Sequence, residues 1–248
     1  MIRIAAIADV HFSETTRNSL RDYWNKLHEC ADLLLIGGDL TTHGGPDQAA
    51  VLAAELEHVQ VPIVAVLGNH DYHSDQPESV RKELEAVGVT VLEQDRTTLE
   101  IDGHSVGIAG TCGFGGGFAG ACGSDFGEPQ MKAFIRYTQS LARALETSLK
   151  EMNTDFRIAL LHYSPIKETV AGERLEIYPF LGSYLLAQAI DRAGADLAIH
   201  GHAHHGQEKG VTPGGVPVRN VALPVLRRPY AIYTLEKTAT PKAAANCP

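Results

Sequence analysis

Three features of the sequence predict an α/β fold. Short, nearly continuous apolar runs of strand length recur at Ile2 to Ala8, Leu33 to Ile36, Ile63 to Leu67, Arg157 to Leu161 and Leu197 to Ile199. Runs of this kind are expected of strands covered on both faces. Stretches with apolar residues at helical spacing lie between them. Each run also hands over within a few residues to Asp, Asn or His, and in an open α/β sheet ligands gather outside the carboxyl ends of the strands.

The elements follow in order. The first strand ends at Asp9-Val10-His11, and if the chain stays extended Asp9 and His11 share a face. A helix is expected over Asn18 to Cys30, where Leu20, Trp24 and Leu27 recur at helical spacing. The second strand ends at Gly37-Gly38-Asp39, and an amphipathic helix follows over Asp47 to His58. The third strand ends at Gly68-Asn69-His70-Asp71. Glu78 to Val87 reads as a helix closed by Gly88, a residue suited to the left-handed position after a helix. Val89 to Leu92 and Thr98 to Ile101 read as short strands, Asp102-Gly103 as a hairpin turn, and Ser105 to Ala109 as the return strand. Gly110 to Gly127 is dense in glycine, with no strand–helix–Lys context for a phosphate-cradling loop. A surface loop near the site is expected there, a lid carrying Phe114, Phe118 and Phe126. Glu128 to Glu151 is the longest helical pattern, with Pro129 near its start. Helix is expected again at Gly182 to Ala193. Closing strands are expected at Gly214 to Val218, Val221 to Ala222 and Ala231 to Leu235. No repeat or break in composition divides the chain, so one domain over residues 1–248 is expected, with 237–248 a frayed tail.

Composition narrows the function. The 248 residues carry a formal charge of −9, whereas a general nucleic-acid binder needs a basic stripe. A small phosphate ester remains compatible, because bound metal ions supply local positive charge. The N-terminal apolar run is too short for a signal peptide, and no stretch reaches the ~18 apolar residues of a membrane span. Cys30, Cys112, Cys122 and Cys247 contain no CxxC pair, and free thiols are expected. The expected location is the cytoplasm.

The strand ends supply the chemistry. Asp9, His11, Asp39, Asn69, His162, His202 and His204 give seven oxygen and imidazole donors and no thiolate. That set suits borderline divalent metals such as Mn, Fe or Zn. One ion cannot use all seven and keep an open position, whereas two ions sharing a carboxylate can. His28, His58 and His104 read as solvated or simply hydrogen-bonded. His43, His73, His200 and His205 lie beside the motifs and can serve as neighbours to the site. Arg227-Arg228 could approach a phosphate, but reads first as a solvated pair before the last strand.

Asp9-x-His11, Gly38-Asp39, Gly68-Asn69-His70-Asp71, an isolated His162 after a strand, and Gly201-His202-x-His204 resemble the five-block signature of the calcineurin-like metallophosphoesterases, in family order. The resemblance implies a four-layer α/β/β/α sandwich with two mixed sheets and a dinuclear site at the strand ends. It implies that Asp9, His11 and His204 bind one metal, that Asn69, His162 and His202 bind the other, and that Asp39 bridges. It further implies that water or hydroxide held by the ions attacks phosphorus in line and that His70, not itself a ligand, acts as the catalytic acid. Asp71 either orients the loop or bonds its own turn.

Two departures matter. Thr42 and His43 stand where the Ser/Thr protein phosphatase branch has Asp and Arg, so what holds the His70 ring is open. The first block also lacks the Tyr that purple acid phosphatases use. The expected function is metal-dependent hydrolysis of a small phosphate ester, a diester ahead of a monoester. The alternatives are a phosphomonoesterase on the same site and a non-catalytic metal-binding module of the same fold. Specificity is expected to lie in the loops 110–127 and 166–179.

Overall fold

The computed structural model describes residues 1–237; from residue 238 the expected tail lies outside them. The first sheet has the order β13-β1-β2-β3-β4. Its strands are β1 (Ile2–Ile7), β2 (Leu33–Gly37), β3 (Ile63–Val66), β4 (Thr90–Leu92) and β13 (Ala231–Leu235). β1 to β4 run parallel and β13 closes the edge antiparallel. The second sheet has the order β11-β12-β10-β9-β6-β5. It comprises β5 (Asp95–Ile101), β6 (His104–Thr111), β9 (Phe156–Leu161), β10 (Leu197–His200), β11 (Lys209–Val211) and β12 (Pro217–Asn220). Its four inner strands are parallel, with antiparallel strands at both edges, so both sheets are mixed. The strands β7 (Gly117–Phe118) and β8 (Ala121–Cys122) form a separate small ribbon.

The helices are α1 (Arg21–Trp24), α2 (Pro46–Leu56), α3 (Pro77–Glu85) and α4 (Pro129–Glu151), followed by α5 (Tyr178–Leu181), α6 (Tyr184–Ala193) and α7 (Leu223–Leu226). Proline opens α2, α3 and α4, where its missing N–H leaves no helical bond unmade. None of the helices is long and apolar enough to cross a membrane.

The continuous apolar strands bury both faces, as their sequences predict. In β2, Leu34 and Ile36 pack with Leu52, Leu56, Val80 and Leu84 of α2 and α3. Leu33 and Leu35 point the other way, into a core shared with Ile108, Ile158, Leu160 and Ile199 of the second sheet. A third core joins Ala159 and Leu161 to Leu145 and Leu149 of α4 and to Leu186 and Ile190 of α6. The sheets approach closely: a Cβ on Gly110 would lie 2.5 Å from Leu92 Cβ.

Three expectations need correction, and one strand goes unread in the sequence. The helix over Asn18 to Cys30 is realised as the four-residue α1 and a 3₁₀ turn at Leu27–Glu29. Leu20, Trp24 and Leu27 do enter the core together. However, the Asn18 N–H is held by the buried Glu55 carboxylate at 2.7 Å, with Asn18 at φ 65°, and this fixes a turn where helix would begin. Val221 and Ala222 form no strand of their own: Ala222 makes one bridge to Ala8 and then opens α7. β11 escapes detection because it is an edge strand with little apolar pattern. The glycine-rich stretch is not a bare loop, since it finishes β6, forms the β7–β8 ribbon and buries Phe118 with Val170, Leu181 and Ala203; only Phe126 of the three expected aromatics is exposed.

Truncating Leu35 to Ala removes a side chain from the core between the sheets and is expected to cost about 2–5 kcal/mol. Urea denaturation followed by circular dichroism checks this; a loss under about 1 kcal/mol would mean that the core tolerates the cavity.

Candidate metal centre

Parallel pairing brings the strand ends together. β1, β2 and β3 lie side by side, so the residues after each emerge along one edge, and β9 and β10 do the same in the second sheet. The pairing continues into the loops: Asp9 N donates to Gly38 O at 3.0 Å, His11 N to Asp39 O at 3.0 Å and Phe12 N to Leu40 O at 2.9 Å. Asp9 and His11 do not share a face by strand alternation, because the chain is not extended there. Asp9 (φ 56°), His11 (φ 44°), Asp39 (φ 50°) and His202 (φ 68°) all sit in the left-handed region. Side chains other than glycine adopt it at a cost, although Asp and His tolerate it best. Four such residues at one edge mark a site at which local strain is held by the surrounding structure.

Two groups of donors result. Asp9, His11, Asp39 and His204 can bring one ligand atom each within 4.8 Å of one another, and so can Asp39, His162 and His202. Asp39 belongs to both and is buried, as is Asp9. Asn69, the remaining sequence-predicted donor, places Oδ1 2.9 Å from His162 Nε2.

The donors fit a divalent cation. His162 Nδ1 lies 2.9 Å from the Gly37 carbonyl, which can only accept, so that nitrogen carries the proton. Nε2 of the same ring faces Asn69 Oδ1 at 2.9 Å and Asp39 Oδ1 at 3.3 Å. An imidazole nitrogen, an amide oxygen and a carboxylate oxygen thus converge, a donor set that suits a divalent cation. His202 is oriented in the same manner: Nε2 donates to Phe180 O at 3.1 Å, which leaves Nδ1 free of that bond. Burial pushes the His202 imidazole down to about 4, so it is neutral and able to ligate at physiological pH. Burial opposes ionisation of Asp9, but the His204 hydrogen bond and the His162 and His204 charges outweigh it and hold the carboxyl below its ordinary range. The same bond raises His204.

His70 stands beside the groups. Its Nδ1 lies 2.8 Å from Thr42 O, its Nε2 is 4.0 Å from Asp39 Oδ2, and its ring is 4.5 Å from that of His11. A backbone carbonyl therefore holds the ring where the sequence offered no carboxylate. Asp71 fills both roles the sequence left open. It is fully buried and accepts from Gly68 N (2.8 Å) in its own turn, and from Leu40 N (3.1 Å), Thr41 N (2.8 Å) and Thr41 Oγ1 (2.7 Å) across the gap. The loop carrying Asp39 is thereby fastened to the loop carrying Asn69 and His70. Sequence reasoning noted a glycine before Asp39, Asn69 and His202 but not its purpose. A Cβ on Gly38 would lie 2.6 Å from His162 Nδ1, one on Gly68 2.2 Å from Asp39 Oδ1, and one on Gly201 2.3 Å from Asp9 Oδ2. In each case the absent side chain leaves room for a donor from another block. Of the neighbouring histidines, His200 is buried on Thr169 Oγ1 at 2.8 Å and His205 pairs with Glu173 at 3.3 Å. Arg228 reaches Glu208 at 3.3 Å.

The model of the calcineurin-like phosphoesterases matches residues 2–206. The chain belongs to that family. Among curated proteins, the uncharacterised protein YpbG of Bacillus subtilis (strain 168) is 37% identical over 176 residues, 71% of this chain and 51% of that protein. The chain thus spans about half the length of that relative. Among solved structures, the phosphopantetheinyl hydrolase PptH of Mycobacterium tuberculosis matches at a TM-score of 0.68 and 14% identity, covering 96% of this chain and 98% of that one. A putative 5′-nucleotidase from Staphylococcus aureus matches at 0.56 and 15%, covering 88% and 48%. At these identities the likeness is one of fold.

Asp71→Asn keeps the shape but turns an amide nitrogen toward backbone donors. It is expected to weaken Mn²⁺ binding about 10–100-fold, the usual effect of losing a group that orients ligands. Calorimetric titration with Mn²⁺, alongside an unchanged far-ultraviolet spectrum, checks this; unchanged affinity would reduce Asp71 to a turn former.

Proposed function

We propose that the protein is a metal-dependent phosphoester hydrolase that holds two divalent ions and acts on a small phosphodiester. The observation that carries this reading is the membership of Asp39 in both donor groups, the arrangement two ions sharing one carboxylate require. Asp9, His11 and His204 complete one set, and Asn69, His162 and His202 the other. Oxygen and imidazole donors without thiolate favour Mn, Fe or Zn. When bound, such ions supply Lewis-acid activation of water and neutralise charge on the phosphoryl oxygens.

The chain's own residues do the rest. Thr42 O fixes Nδ1 of His70, which turns Nε2 toward the Asp39 side of the centre, where the doubly protonated ring would hand its Nε2 proton to a leaving oxygen. Asp71 keeps His70 and Asp39 in register through the two loops. A diester, with a single charge on its phosphoryl oxygens, is the proposed substrate ahead of a monoester. The acidic chain argues for a small ester rather than bulk nucleic acid. The unpaired Cys30, Cys112 and Cys122 suit a reducing cytoplasm.

Chelated protein assayed with bis-p-nitrophenyl phosphate, p-nitrophenyl phosphate and cyclic nucleotides is expected to regain hydrolysis on addition of Mn, Fe or Zn, with the diester turned over faster. No restored hydrolysis of any ester would refute the reading. His70→Ala is expected to lower kcat about 10²–10⁴-fold while metal content stays at the wild-type level; parallel loss of bound metal would remove His70 from the catalytic role.

A further inference from the structure

The chain leaving β12 is fastened to the catalytic edge by backbone bonds on both sides. Val221 N donates to His200 O at 2.7 Å, two residues before His202. Val221 O accepts from Ala8 N at 2.9 Å, one residue before Asp9, and Leu223 N donates back to Ala8 O at 2.9 Å. The segment is therefore wedged between the block that carries Asp9 and the block that carries His202 and His204, and α7 starts there.

α7 ends at Arg227, whose N–H closes on Leu223 O at 2.9 Å. Arg227 has φ 52°. The left-handed position after a helix ordinarily falls to Gly or Asn, and a longer side chain held there is a strained residue of the kind that gathers at functional sites. Arg227 lines a recess of about 410 Å³ together with His204, His205, Gln207, Pro224 and Val225. His204 belongs to the first donor group, beside Asp9, His11 and Asp39, and its side chain is 36% exposed. The recess and the metal centre thus share a wall.

The recess has one sign of charge. No carboxylate lines it, and Arg227 is its one permanently charged residue. Among the described residues Arg227 makes no ion pair and no side-chain hydrogen bond, whereas the next residue, Arg228, is tied to Glu208 at 3.3 Å. Arg174, in the adjoining recess, shares its walls with Glu173. In a chain of formal charge −9, an unpaired guanidinium beside a donor histidine is the exception. Its planar fork matches the oxygens of a phosphate or carboxylate.

We propose that Arg227 forms an anion subsite beside the metal centre and takes a second phosphate or a carboxylate carried by one alcohol of the scissile ester. This rests on the phosphoesterase reading and deepens it by naming a substrate class: a phosphate ester with a further anionic group away from the reacting phosphorus. An ester whose alcohols are all uncharged leaves Arg227 unused.

Calorimetric titration of the Mn²⁺-loaded protein, freed of excess metal, tests the proposal without relying on turnover. The probes are alkyl phosphates with spacers from ethyl to pentyl that end in a hydroxyl, a carboxylate or a second phosphate. At the spacer that fits, an anionic end is expected to bind about 10–100-fold tighter than the hydroxyl end, the usual range for hydrogen bonds to a charged group. The tighter of the two anionic series identifies the group. Arg227→Gln is expected to bring the ratio close to one. Arg228→Gln removes the same formal charge from the neighbour tied to Glu208 and is expected to keep the ratio. Equal affinity for anionic and hydroxyl ends at every spacer would overturn the proposal. So would a preference that survives Arg227→Gln, or one that Arg228→Gln lowers as much. The two readings fail separately. An Arg227-dependent preference in a protein that hydrolyses no ester would leave the subsite standing and remove the enzyme, whereas hydrolysis without the preference would do the reverse.

Discussion

Asp39 is the side chain on which both halves of the centre depend. Its carboxylate is buried where Asp9, His11 and His204 approach from one side and His162, His202 and Asn69 from the other. A buried carboxylate needs compensation. Asp39 receives a backbone N–H from His70 at 2.8 Å, but its remaining neighbours are mostly electron-pair donors themselves. Such a set is stable as an apolar core would never be, only when positive charge sits among its members. The family match and the donor chemistry agree on this point.

The surrounding fold is arranged to permit that convergence. Parallel strands deliver the blocks to one edge, but strands 4.7–4.9 Å apart cannot bring side chains from five loops into a single volume unless some side chains are missing. Gly38, Gly68 and Gly201 supply the missing volume, each for a donor from a different block. The turns that aim Asp9, His11, Asp39 and His202 inward use left-handed backbone at about 1–3 kcal/mol each. The Asp71 carboxylate, with four donors from two loops, is one of the fastenings that offsets this strain.

Much of this was legible in the sequence. The apolar strands were found because burial on both faces leaves a continuous run. The candidate donors could be picked out because Asp, Asn and His after such runs are costly unless used, and the structure places them together. The legible part stops where backbone atoms act. Thr42 O holds His70, Gly37 O sets the tautomer of His162 and Phe180 O orients His202, and none of these carries a side-chain signal. Strand alternation also misled at Asp9 and His11, since it presumes an extended chain and both residues are left-handed. The helix over Asn18 to Cys30 failed for a tertiary reason: Glu55, far along the chain, captures the Asn18 N–H.

The account stands or falls on a shared carboxylate. Metal content of reconstituted protein, measured by inductively coupled plasma mass spectrometry for the wild type and Asp39→Ala, tests it most directly. Two ions per chain in the wild type and loss of both in the variant are the predicted result. Saturation at one ion in the wild type, or a variant that keeps both, would contradict it.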